Sequence, residues 1–209
     1  MAAVNESIYL AGPMTGREYL NYHTFNAVAA WARALGRTVV SPAELGLAPD
    51  TPWEDCMRLA TRSLSRCSEI LMLPGWEKSR GSLKEMDLAQ TYGMPISILT
   101  FDTVAKSLDD GLPRKLVIAT LVSLMRAELL AGNIVELCQH KIHPAKTTDS
   151  EIFWGVNPYG NDFIAPLSKG LQDFAEIGIF ISALLDTDTC YGQCPENLWR
   201  ADAPLPHKR

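Results

Sequence analysis

The chain carries no surplus of basic charge: 19 Lys and Arg stand against 24 Asp and Glu, for a net charge of −5. A broad nucleic-acid surface needs a basic footprint, so a nucleic-acid polymer is not the expected partner. Long apolar runs are also missing. The longest, Leu116 to Leu130, is interrupted by Arg126 and Glu128, too short and too charged to cross a bilayer. Met1 to Asn5 has neither a basic n-region nor an apolar h-region; no secretory signal is expected, and a cytoplasmic protein is. Cysteine is sparse and odd in number, five residues, which suits reduced thiols in a cytosol better than a disulfide framework. There is no P-loop and no Ser-His-Asp order, and Gly12-x-x-x-Gly16 is not a dinucleotide fingerprint. No cofactor is expected. No internal repeat is present.

What remains is an ordinary globular composition, 47% hydrophobic and 21% charged over 209 residues. That length buries one full core with room for a second small lobe. Residues 7–100 read as repeated strand–helix units. Ser7 to Ala11 is a short apolar strand ended by Gly12-Pro13. Asn21 to Leu35 is helical, with Phe25, Val28, Ala29, Ala32 and Leu35 on one face and Gly36 as a terminating signal. Thr38 to Val40 is a second strand, stopped by Ser41-Pro42. A helix over Trp53 to Arg66 follows Thr51 as cap and Pro52 at its first position. Ile70 to Leu73, a helix over Gly81 to Tyr92, and a strand over Pro95 to Leu99 complete the series. The alternation predicts an α/β fold, an open, mostly parallel sheet with helices on both faces, Rossmann- or flavodoxin-like. Asp109-Asp110-Gly111-Leu112-Pro113 reads as a boundary between a domain over 1–110 and an extension over 111–209. The extension is expected to be mainly helical, with long helices at Leu116 to Leu137 and Leu167 to Leu185 and a polar, irregular stretch at Pro144 to Asp162. Its expected role is subunit contact or a lid.

The stretch richest in chemistry is Ser79-Arg80-Gly81-Ser82-Leu83-Lys84-Glu85, directly after the third strand. Open α/β sheets bind ligands beyond the carboxyl ends of their strands, and a helix start there offers free N–H groups to an anion. Glu85 lies about one turn into the helix, and Lys78, Arg80 and Lys84 make the surroundings locally basic. The pattern predicts a small anionic ligand, a phosphate cradle and one acid. Ser79 and Gly81 also fit plain cap and turn roles, and Glu85 also fits a solvated helix position. Asp87, about 200° further round the helix, reads as surface.

Two separated motifs in order carry a family resemblance. Ile8-Tyr9-Leu10-Ala11-Gly12-Pro13-Met14-Thr15-Gly16, and Leu73-Pro74-Gly75-Trp76-Glu77-Lys78-Ser79-Arg80-Gly81 with Glu85, resemble the nucleoside 2-deoxyribosyltransferase superfamily over residues 6–100. Within it the chain is most similar to a branch of small domains common in phage and bacterial genomes. The resemblance implies that Glu85 attacks the anomeric carbon and displaces the base, as carboxylates do in glycoside hydrolysis. It implies that the backbone of Gly12, Pro13, Met14 and Gly16 lines the sugar and phosphate pocket, and that Tyr9 orients Glu85. Family transferases acting on free nucleosides carry Asp where this chain has Ser79. The branch hydrolysing deoxynucleoside 5′-monophosphates carries Ser there, and holds phosphate with that Ser and the Gly at 81. Ser79 with Lys78 and Arg80 therefore implies a 5′-monophosphate substrate. Family members are homo-oligomers, so at least a dimer is expected. The likeness departs at Ala60, where relatives carry an Asp that handles the substrate or leaving group.

Other readings stay open. Tyr9 alternates with Ile8 and Leu10 and is equally a core strand residue. Ser41 ends the second strand within reach of a base edge. Trp76 either stacks on the base or packs. Cys138, His140, His143, Cys190 and Cys194 supply soft ligands at spacings unlike common zinc fingers, so no metal is expected. The expected activity is hydrolysis of a (deoxy)nucleoside 5′-monophosphate at its N-glycosidic bond. The alternatives are a base-exchanging transferase, a sequestering nucleotide-binding protein and an NAD-type glycohydrolase.

Overall fold

A computed structural model describes residues 7–48 and 50–133, and by backbone four later strands. The chain divides into two compact units, Met1–Ser123 and Leu124–Arg209.

The first unit is built on β1 (Ser7–Ala11), β2 (Thr38–Val40), β3 (Glu69–Met72) and β4 (Ile96–Ile98). They form one parallel sheet in the order β2-β1-β3-β4, with Tyr9 beside Val40 on one side and Ile70 on the other. The crossovers are α1 (Tyr22–Ala34), α2 (Trp53–Leu64) and α3 (Arg80–Thr91). This is the Rossmann-like α/β architecture that the sequence predicts. Each strand sits within a residue of its expected place. β1 is buried along its whole length, as a central parallel strand must be. On one face Tyr9, Ala11, Ile70 and Met72 pack with Ala60 and Leu64 of α2 and Ala89 of α3. Right-handed crossovers place α1 on the other face, where its Phe25, Val28, Ala29 and Ala32 are buried. Short α4 (Phe101–Lys106) ends beside α1, where Trp31 Nε1 donates to Ser107 Oγ at 2.9 Å.

The order 2-1-3-4 has a consequence for ligands. The chain leaves β1 toward one edge and leaves β3 toward the other, so the crevice opens between their carboxyl ends. Those ends are pressed together. Leu73 N–H donates to Ala11 O at 2.7 Å, and a Cβ on Gly12 would stand 2.9 Å from Leu73 Cβ. Only glycine fits at residue 12 without moving a strand.

The later half departs from expectation. The sequence predicts a helix over Leu116 to Leu137, but α5 runs Arg114–Leu130. Gly132, at φ +76°, closes it: Gly132 N–H donates to Leu129 O and Asn133 N–H to Glu128 O, both at 3.0 Å. This is a Schellman ending, which a left-handed glycine permits. Nor does the domain division fall at Asp109 to Pro113; it falls within α5. The first part of that helix is tied to α1, with Thr120 Oγ1 donating to Ala27 O at 3.5 Å and Thr24 Oγ1 to Ser123 O at 3.3 Å. Beyond α5 the described elements are strands that the sequence reading does not anticipate. β5 (Val135–Leu137), β6 (His140–Lys146), β7 (Ile152–Val156) and β8 (Ala165–Leu167) form an antiparallel sheet in chain order. Pro144 lies within β6 opposite Trp154, so the stretch expected to be irregular holds two paired strands. The helix expected over 167–185 and the tail after it lie outside the described residues, apart from the end of β8.

Candidate active site

The switch point gathers three segments of the first unit: the Gly12–Gly16 loop after β1, residues 73–79 after β3, and the start of α3. At its centre are two buried side chains. Glu85 of α3 is 5% exposed and Tyr9 of β1 is fully buried. Tyr9 OH donates to Glu85 Oε1 at 2.6 Å. A bond this short, from a hydroxyl to a carboxylate, is the charge-assisted kind. Burial pushes the Glu85 carboxyl up to about 7, against the opposing pull of the Tyr9 hydrogen bond. Burial, then the Glu85 charge, holds the Tyr9 hydroxyl well above its ordinary range, with the nearby Cys67 thiol adding to the effect. Tyr9 therefore stays a donor at every physiological pH. The sequence leaves Tyr9 divided between core and site; the fold buries its ring in the core and sets its hydroxyl on Glu85.

Ser79 is the N-cap of α3, and its Oγ accepts from Ser82 N–H at 3.3 Å. The N–H groups of Arg80 and Gly81, within the first helical turn, have no intrahelical acceptor. Gly81 leaves room there, with Met57 Sδ 3.4 Å from where its Cβ would be. Two arrangements were not foreseen. Arg80 places its guanidinium 3.9 Å from the ring centre of Trp53, and Lys84 places Nζ 4.9 Å from it. Trp53 thus fixes two cations, four residues apart on one side of α3. Its sequence signal, an aromatic at the start of α2, shows nothing of this without the packing of α2 on α3. The second is Asn21, whose Nδ2 donates to Pro13 O at 2.9 Å. Tyr19, Leu20 and Asn21 carry φ of 46°, 52° and 59°, a strained turn that delivers this contact to the loop.

The remaining predicted residues lie at the same edge. Met14 is half-buried and Gly16 exposed at the loop's far end. Ser41 is buried, and among the described residues its Oγ has no partner; Trp76 Nε1 and Ser82 Oγ are likewise buried without one there. Trp76 packs against the cluster that holds Tyr9, so the packing role is observed. Glu44 near Ser41 is engaged by both guanidinium nitrogens of Arg33, at 2.8 and 2.7 Å. Asp87 is exposed. Ala60, at 6% exposure, lies in the core cluster with Tyr9. Of the candidate zinc ligands, 138, 190 and 194 lie outside the described residues, and His140 and His143 lie along β6.

A buried carboxyl near neutrality, a fixed hydroxyl donor and a helix start with local positive charge make one chemical unit. It can hold an anion at one end and present a nucleophile or general acid–base a turn further on. Among the described residues no helix is long and apolar enough to cross a membrane. No curated protein and no solved structure matches the chain. The stretch that builds this site, residues 6–98, matches the family model described as a domain of unknown function (DUF4406).

Proposed function

We propose that this protein cleaves the N-glycosidic bond of a (deoxy)nucleoside 5′-monophosphate, in the manner of the nucleoside 2-deoxyribosyltransferase superfamily that its two motifs resemble. The observation that carries the reading is the buried Tyr9–Glu85 hydrogen bond, about one helical turn from the start of α3, where the N–H groups of Arg80 and Gly81 have no intrahelical acceptor. Glu85 as carboxylate attacks C1′; the C1′–N bond breaks, and its electron pair leaves with the base, which takes up a proton. Water then attacks C1′ of the glycosyl ester, losing its proton as Glu85 departs as carboxylate. Tyr9 keeps the reacting oxygen aimed, and the first turn of α3 with Ser79, Arg80 and Gly81 holds the 5′-phosphate. No cofactor or metal enters this scheme. A second subunit is part of the proposal, since relatives assemble as homo-oligomers, and a cytoplasmic location goes with it.

A second reading is a protein that sequesters a nucleotide without turning it over. It is favoured by Ala60, a buried methyl where relatives place a carboxylate. Incubation with a panel of ribo- and deoxynucleoside monophosphates, reading free base by chromatography, decides between them. The proposal expects free base and sugar 5-phosphate, and loss of both with binding retained in Glu85→Gln. Binding without base release by the wild type would favour sequestration. Products with a new base, when a competing base is added, would make it a transferase.

A further inference from the structure

Ser82 lies three residues before Glu85 on α3, and nothing among the described residues satisfies its hydroxyl. It is fully buried, and its Oγ has no hydrogen-bond partner among the described residues. A serine inside a helix ordinarily donates to the carbonyl four residues back. At the third position of α3 that residue is Lys78, which precedes the helix. The Ser82 N–H is already engaged by Ser79 Oγ. A buried hydroxyl left unpaired is destabilising, and natural cores seldom keep one without reason. Ser82 precedes Glu85 by three residues, so both lie on one side of α3, and both are buried.

Stereochemistry then names the partner, on the reading that Glu85 attacks C1′. Displacement of a β-linked base requires approach from the face opposite the base, which is the face bearing the ring hydroxyls. Along α3 the anion-holding residues come first, Ser82 next and Glu85 last. Along the substrate the 5′-phosphate comes first, the 3′-hydroxyl next and C1′ last. We propose that Ser82 is a specificity-determining residue, its Oγ hydrogen-bonding the 3′-hydroxyl of the sugar. Ribo- and 2′-deoxyribonucleotides both carry that group, so Ser82 does not distinguish them. It selects against sugars lacking the 3′-hydroxyl.

The test compares kcat/KM for a nucleoside 5′-monophosphate and its 3′-deoxy analogue, in wild type and Ser82→Ala. Any intrinsic effect of the hydroxyl on reactivity cancels between the two proteins. The wild type is expected to favour the 3′-hydroxyl by roughly tenfold, and the variant to lose most of that preference. The variant's melting temperature is expected to hold or rise, because an unpaired buried hydroxyl has gone. Equilibrium binding of the same pair to Glu85→Gln, with and without Ser82→Ala, gives the ratio independently of chemistry. An unchanged preference in the Ser82→Ala protein overturns the assignment while the hydrolase reading stands. A wild type that neither binds nor cleaves any monophosphate overturns that reading, and this assignment with it.

Discussion

Replacing Tyr9 by Phe removes one oxygen from a fully buried ring and leaves its packing in place. The lost group is the donor to Glu85 Oε1 at 2.6 Å. A hydrogen bond to a charged acceptor contributes about 1.5–3 kcal/mol, and one pH unit corresponds to about 1.36 kcal/mol. The carboxyl, at about 7 with the bond in place, therefore titrates about one to two pH units higher in Tyr9→Phe. The carboxylate is the reactive form, so kcat/KM rises with pH through that value. At pH 7 about half of the wild-type protein carries it, against roughly one molecule in ten to one in a hundred of the variant. The expected loss at pH 7 is about 5- to 50-fold, recovered as the pH approaches 9. The assay is the pH profile of kcat/KM for base release, which reports the free enzyme. A variant whose inflection coincides with the wild type's would refute the reasoning, whatever its absolute rate.

Two further outcomes follow from the same geometry. The Glu85 carboxyl titrates higher folded (about 7) than unfolded (near its ordinary value of 4.5), so its stabilising effect is complete below the unfolded value and is lost as pH rises through the folded one. Glu85→Gln removes that slope and should gain up to about 3 kcal/mol on the wild type between pH 5 and pH 8; parallel urea-unfolding results at the two pH values would contradict it. Trp53→Ala releases Arg80 and Lys84 from the ring that fixes them. With each of the two cation–π contacts contributing about 0.5–1 kcal/mol, KM for a monophosphate should rise by up to about five- to thirtyfold with kcat little changed, and an unaltered KM would remove Trp53 from the site.

The parallel sheet was legible because each strand is a short apolar run bounded by Gly or Pro, and each helix carries a one-sided apolar stripe. The position of Glu85 followed from the same alternation, since a residue one turn into the helix after a strand lies at the sheet's carboxyl edge. The pairing with Tyr9 was legible only through the family resemblance, not from periodicity or spacing. It depends on β1 lying beside β3, which only the strand order reveals. Trp53 was missed for a similar reason: its partners are some thirty positions away, joined to it by α2 packing on α3. The end of α5 was misread although Gly132 closes it as Gly36 closes α1, because Ile134-Val135-Glu136-Leu137 continues an apolar pattern that suits helix and strand alike. Pro144 opens the stretch read as polar and irregular, yet the backbone carries it inside a paired strand.

The most direct test of the account is rapid-quench mass spectrometry of the protein mixed with a nucleoside monophosphate, with peptides mapped afterwards. The account predicts a sugar-phosphate adduct on the peptide containing Glu85, formed as base is released and missing from Glu85→Gln. Continued base release by Glu85→Gln, or a glycosyl adduct on a different residue, would contradict it.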